Sequence, residues 1–238
     1  MATYKQIFGK QVKFLSSDPA NEAEGQVWYN STSNTFKTVV NSGAWSSSAP
    51  ITTARSQTAG TGIQTAALLM AGSTPPYPTV SAVVEQYNGT GWSNETSLPT
   101  AVIQGAGAGT TTAALFTGGF IVPPGGQTAT YAYDGSTWTE VADLASVRKG
   151  MACFGTSTAA LSAGGQAGSP SASALVQEWD GTSWTVATVI NTARTKFAGS
   201  GTTTAGMIFG GYVAPNPQSI VETWDGTSWA EGGNLNTA

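Results

Sequence analysis

Histidine is absent from this 238-residue chain, and cysteine occurs once, at Cys153. A single cysteine allows no intramolecular disulfide and no thiolate metal cage. Without histidine, no imidazole can activate it as a nucleophile. Charge is scarce as well. Charged residues make up 9% of the chain, against roughly 25% in an ordinary globular protein. The formal net charge is −4, with a pI near 4.7. A nucleic-acid binder needs a basic stripe, so no nucleic-acid partner is expected. No apolar run reaches the length of a membrane span, and no membrane insertion is expected. The opening MATYKQIFGKQVKFLSSDP carries lysines but no continuous apolar stretch, so it does not read as a secretory signal. Four of the nine basic residues (Lys5, Lys10, Lys13, Lys37) stand near the amino terminus. That marks off an arm that either has its own partner or is simply solvated.

What is present in quantity is Gly, Ala, Ser and Thr, with 40% hydrophobic residues to build a core, and it is arranged with a period. Trp45, Trp92, Trp138, Trp184 and Trp229 recur in steps of 47, 46, 46 and 45 residues. From each of the first four, the same frame follows. Ten residues on stand Arg55, Val102, Arg148 and Arg194. Seventeen on stand Gly62, Gly109, Gly155 and Gly201, and twenty-seven on Gly72, Gly119, Gly165 and Gly211. All length variation falls between that last glycine and the next tryptophan. A fixed period in this range marks a repeat architecture.

Each repeat offers four short strand candidates. In the last one these are Thr195 to Gly201, Thr203 to Phe209, Ile220 to Trp224, and a strand starting at Trp229. Between the third and fourth lies a short phrase: YNGTGW at 87–92, YDGSTW at 133–138, WDGTSW at 179–184 and at 224–229. Asn-Gly and Asp-Gly are the strongest short hairpin signals, because both turn residues tolerate positive φ. Four antiparallel strands per repeat describe a β-propeller blade. One such sheet cannot bury both faces alone, so neighbours must bury them for each other. The fold class expected is all-β, a propeller of four-stranded antiparallel blades. A flat β-solenoid fits less well, because its rungs are shorter and lack the hairpin.

The repeats resemble the kelch family: an Arg near the first strand, a second strand ending in Gly-Gly, an aromatic in the third, and a Trp opening the fourth. The third repeat has Arg148, Gly164-Gly165, Trp179 and Trp184; the fourth has Arg194, Gly210-Gly211, Trp224 and Trp229. The second has Val102 in place of the Arg, and the first has Ala71-Gly72 in place of the double glycine. The third-to-fourth hairpin is also shorter than in most kelch repeats. Residues 24–45, EGQVWYNSTSNTFKTVVNSGAW, resemble segments of tailed-bacteriophage tail-fibre and virion structural proteins, marine phages in particular, where such a segment precedes kelch-like repeats. The resemblance implies a virion location.

The expected organisation is an arm at 1–24, suited to virion attachment, and a propeller over 25–238. Within the propeller, 25–48 is a partial blade, and full blades run at about 53–96, 100–142, 146–188 and 192–233. Residues 234–238 would supply a closing strand, making a five-bladed ring joined at its termini. Val40 to Trp45 aligns on the hairpin frame as the end of the partial blade.

Candidate chemistry is weighed against this frame. The copper site of galactose oxidase, an enzyme on a kelch propeller, needs histidines. Sialidases carry an Asp-box turn similar to YDGSTW, but here the Asp-to-Trp spacing is one residue short. Arg55, Arg148 and Arg194 share a repeat position, and pairing with carbonyls or acids between blades accounts for them better than a substrate carboxylate does. Asp134, Asp180 and Asp225 precede Gly in hairpins, where a turn role explains them. Cys153 replaces a frame glycine and reads as core. Most tryptophans are frame residues, Trp28 being the exception. The informative variable is the loop after each glycine pair: STPPYPTVSA, FIVPPGGQTAT, QAGSPSASA and YVAPNPQS. A rigid frame presenting variable loops on one face suits binding, and Tyr77, Phe120 and Tyr212 are their aromatic contact candidates; drift of unselected loops is the alternative reading. The expectation is a non-enzymatic adhesion or structural protein of a phage virion, without cofactor or metal. Its partners would be other virion proteins or a host-surface glycan or protein, with homo-oligomerisation open. The rivals are a bacterial cell-surface glycan-binding propeller and, less well supported, a glycosidase or sialidase-like propeller.

Overall fold

A computed structural model describes residues 13–19, 27–38, 47–122, 125–167 and 171–238. Among them there is no helix. The chain forms two compact units, Met1–Ser47 and Ser48–Ala238.

The larger unit contains four sheets in chain order, each of four antiparallel strands joined in sequence. The first sheet is Ala59–Ile63, Ala66–Met70, Val84–Tyr87 and Trp92–Glu95. The other three start with Ala106–Gly109, Ala152–Gly155 and Ala198–Gly201. Their fourth strands open at Trp138, Trp184 and Trp229. The frame tryptophan therefore occupies the same place in every sheet, as its spacing predicts. Trp45, the first of the series, lies outside the described residues.

Two frame glycines have a backbone reason. Gly155 ends the first strand at φ 115°. A Cβ there would stand 2.3 Å from the Ala159 carbonyl oxygen, and Gly62, Gly109 and Gly201 meet the same obstacle. Gly119 has φ 105° and lies against the Ile103 carbonyl and the backbone of Gly105. Ala71 stands where the other repeats have the first glycine of the pair, and it adopts the same left-handed conformation at φ 61°. A Cβ on Gly118 would collide with Met151, and one on Gly164 with Phe197. The residue at the Met151 and Phe197 position in the repeat after Ala71 is Gly105. Space for the alanine methyl is thus provided by a second small residue.

Successive sheets pack through their first strands and through three apolar clusters. Met70 and Phe116 lie in the cluster of repeats one and two, and Leu115 and Trp179 in that of repeats two and three. Phe154 and Ile208 lie in that of repeats three and four. Backbone bonds cross each junction: Gln104 N–H to Gln57 O at 2.9 Å, Gly150 N–H to Gln104 O at 2.8 Å, Lys196 N–H to Gly150 O at 2.7 Å. All four first strands line one axial cavity of about 260 Å³, bordered by Gly60, Gly107, Gly155 and Gly199. Small side chains there permit the close approach. The arrangement is propeller-like.

The series of sheets is open among the described residues. The first strands of repeats two and three are mostly buried, whereas Ala198–Gly201 of repeat four is largely exposed. Met207 in the fourth sheet is 43% exposed. The closing strand expected at 234–238 does not form: these residues carry no strand. Leu235 N–H instead bonds Ser219 O at 2.8 Å within its own repeat, as Leu98 bonds Ala82 and Ile190 bonds Ala174. The tail therefore repeats the ordinary exit from a sheet.

The smaller unit forms a sheet of its own. Val27–Asn30 pairs antiparallel with Thr35–Thr38, and its other edge is taken by Lys13–Leu15, in parallel. A strand from the expected 1–24 arm thus takes that edge of Val27–Asn30. Asp18 fastens this sheet, accepting from Lys37 Nζ at 2.6 Å, Asn30 Nδ2 at 2.8 Å and Trp28 Nε1 at 3.0 Å. The Lys37 bond foremost, then those from Asn30 and Trp28, holds its carboxyl down to about 2. The aligned Val40 to Trp45 segment lies outside the described residues.

Candidate binding face

The two ends of the four sheets differ in what they carry. At one end each third strand turns into the fourth through the repeated phrase. Its two aromatics face each other across the hairpin: ring centroids are 5.2 Å apart for Tyr87 and Trp92, 4.7 Å for Tyr133 and Trp138, 5.4 Å for Trp179 and Trp184, and 5.2 Å for Trp224 and Trp229. The fourth-strand indoles also reach back to the preceding repeat. Trp138 donates to Thr96 O at 2.9 Å, Trp184 to Thr130 Oγ1 at 3.0 Å and Trp229 to Thr188 O at 3.1 Å. These rings are consumed in holding strands and sheets together.

The turn carboxylates are equally occupied. Asp180 Oδ1 accepts from the backbone N–H groups of Thr182 and Ser183, each at 2.8 Å, and from the Thr182 hydroxyl at 2.7 Å. The Thr182 hydroxyl first, and then the two backbone bonds, hold its carboxyl at about 2. Asp134 and Asp225 make the same bonds and are lowered in the same direction, led by the backbone N–H of Thr137 and of Ser228 respectively. Asn88 performs the turn in repeat one with an amide oxygen, accepting from Thr90 and Gly91. An uncharged oxygen therefore suffices.

The three arginines do not converge on a shared site. Each is buried and spans its own sheet, rather than bridging neighbouring blades as their frame position suggests. Arg148 Nη1 donates to Leu175 O at 2.8 Å and Gly164 O at 3.3 Å, and Nη2 to Gln177 Oε1 at 2.6 Å. Arg55 bonds Ala71 O, Val83 O and Glu85. Arg194 pairs with Glu222 with both side chains fully buried. The partner always stands two residues before the third-strand aromatic. In repeat two that position is Tyr131, opposite Val102, and both are buried. Sequence reasoning missed this pairing, although the joint loss of Arg and acid in repeat two was the available signal. Cys153 is buried, and burial pushes its thiol up to about 12 despite Arg148 nearby.

The opposite end carries the variable loops. Antiparallel bridges Ser56–Ser73, Ile103–Phe120, Lys149–Gln166 and Thr195–Tyr212 start them at one frame position. Three continue into two-stranded ribbons: Ser73–Thr74 with Thr79–Val80, Phe120–Ile121 with Gly125–Gly126, and Tyr212–Val213 with Asn216–Pro217. The three candidate aromatics all belong to this end but differ in state. Lys149 Nζ sits 4.0 Å from the centroid of half-buried Phe120, and Lys196 Nζ 5.7 Å from that of half-buried Tyr212. Tyr77 is 64% exposed and borders a cavity of about 310 Å³ together with Arg55, Ser56, Ser73 and Thr74. Nearer the axis, Gln57, Gln104, Lys196 and Phe197 border another of about 410 Å³.

No protein-family model matches the chain, and no curated protein matches its sequence.

Proposed function

We propose that the chain is a non-enzymatic structural or adhesion protein of a phage virion, built on a kelch-like β-propeller and engaging a host surface or other virion proteins through its loop-bearing end. One observation carries the reading. The frame's reactive residues are spent on structure: the arginines on carbonyls and acids, the aspartates on turns, the thiol in the core. The loops that vary in length and sequence all start from one frame position. A repeated scaffold that holds unlike loops at one end is suited to recognition. Five blade positions remain the proposed count. Four are the sheets described, and the fifth lies between the open faces of repeats one and four, where a neighbouring subunit is one way to fill it. The phage setting rests on the resemblance of residues 24–45 and on nothing in the geometry. A bacterial cell-surface glycan binder built on the same face is the second reading.

The test uses the full chain. Mass spectrometry of virions from a phage whose genome encodes this sequence should recover it, and labelled protein should bind cells of that phage's host saturably. Recovery from the bacterial envelope alone, with no virion signal, would favour the second reading. No cell binding in either setting would end the adhesion proposal.

A further inference from the structure

We propose that the cleft in repeat one is a monosaccharide-sized site for a neutral, hydroxyl-rich ligand, a single pyranose ring of a glycan. This rests on the adhesion reading above and specifies its chemistry. Two serines line the cleft. At the bridge that starts each loop the paired residues are Ile103 and Phe120, Lys149 and Gln166, or Thr195 and Tyr212; in repeat one they are Ser56 and Ser73. Where the other repeats carry Phe120, Gln166 and Tyr212 after the second glycine of the pair, repeat one carries Ser73, and the cleft beside it measures about 310 Å³. That is the lower end of the roughly 300–1,000 Å³ typical of small-molecule sites, room for one sugar ring.

The lining suits such a ligand. Ser73 is 3% exposed, and its hydroxyl is buried without a hydrogen-bond partner among the described residues. A buried hydroxyl left unmatched is unfavourable, so a ligand hydroxyl that Ser73 Oγ turns to meet supplies a bond the free protein lacks. Ser56 and Thr74 add further hydroxyl groups to the wall. Tyr77 presents an exposed ring at the edge, onto which the apolar C–H face of a pyranose can stack, as apolar groups do on aromatic faces. The charged group of the wall is Arg55, and its terminal nitrogens are committed to Ala71 O, Val83 O and Glu85. Among the described residues its Nε has no partner, but neither do those of Arg148 and Arg194, so that feature belongs to the frame rather than to the cleft. With the guanidinium neutralised by Glu85, the site favours an uncharged ligand over a sialic acid or a phosphate.

The experiment is saturation-transfer NMR on the full chain with methyl glycosides of glucose, galactose, mannose and N-acetylglucosamine, and with sialic acid as the charged comparison. At least one neutral glycoside is expected to bind. Tyr77→Ala should weaken it about tenfold, the upper range for one aromatic contact. Ser73→Phe, which installs the repeat-two residue, should abolish it. Melting temperature is measured for both, and Tyr77→Ala, a change on an exposed loop, keeps the test decisive if Ser73→Phe does not fold. Binding that survives Tyr77→Ala and a folded Ser73→Phe overturns the proposal, as does preference for sialic acid or no glycoside binding at all. Host-cell binding measured on the same samples separates the two readings. Retained cell binding without glycoside binding removes the cleft proposal alone, whereas absence of cell binding removes the adhesion reading.

Discussion

The buried arginine of repeat four can be exchanged for the solution the chain already uses in repeat two. Arg194 and Glu222 pair with neither side chain exposed. The carboxylate also accepts from Asn191 N–H at 2.7 Å and Thr192 N–H at 3.3 Å. Arg194→Val leaves that carboxylate buried without its cation, which costs about 3–5 kcal/mol. At about 2–4 °C per kcal/mol for a domain of 150–250 residues, the melting temperature should fall by about 6–20 °C. The double variant Arg194→Val/Glu222→Tyr copies Val102 and Tyr131, which are buried at 2% and 5% exposure, and removes the stranded charge. What it still loses is the acceptor for Asn191 and Thr192, about 1–3 kcal/mol. It should therefore be more stable than Arg194→Val, with a coupling of about 2 kcal/mol between the two sites. The assay is urea unfolding of the wild type, both singles and the double. If the double were destabilised by the sum of the singles, Arg and Glu would be independent, and the reading of the frame position as an exchangeable pair would be wrong.

The same logic predicts that Gln177→Glu stabilises the protein. Among the described residues Arg148 has no carboxylate partner and Gln177 Nε2 is buried without an acceptor, and burial pulls Arg148 down to about 10; a gain of about 1 kcal/mol is expected by urea unfolding. Acid should act through the hairpins. A carboxyl ordinarily near 3.8 but held at about 2 in the fold contributes stability above about pH 4 that is lost as pH falls toward 2. Asp180→Asn should therefore flatten the melting-temperature profile over that window and lower the melting temperature modestly at pH 7, because the amide oxygen keeps the turn bonds, as Asn88 does, but not the charge. Cys153, with its thiol pushed up to about 12 by burial, should resist a thiol reagent at pH 8 in the native protein and react in urea; prompt labelling of the native form would contradict its burial.

The repeat frame made the larger unit readable, because each constant position answers to a local cause. The hairpin Asp-Gly, the glycines whose added Cβ would strike a carbonyl, and the tryptophan that opens the fourth strand all act within a few residues of their own position. The arginines were half legible: their structural role follows from the repeat, but their partners lie about 30 residues away and are visible only when the second repeat is compared. Ring closure was not legible. Residues 234–238 carry no strand, and one edge of Val27–Asn30 is taken by Lys13–Leu15 through a parallel pairing that no turn motif announces. Tyr77, Phe120 and Tyr212 all lie at the loop-bearing end, but their unlike states follow from lysines that reach two of the rings and from the paired serines of repeat one, which a survey of aromatics alone overlooks.

The central claim is that recognition resides in the loops while the frame only holds them. Replacing the four loops at 73–82, 120–129, 166–174 and 212–219 in turn by short Gly-Ser connections, and measuring host-cell binding per folded molecule alongside melting temperature, tests it most directly. The account predicts that at least one replacement lowers binding tenfold or more while the melting temperature moves by about 4 °C or less. Unchanged binding in all four, or melting temperatures that collapse while binding per folded molecule stays constant, would contradict it.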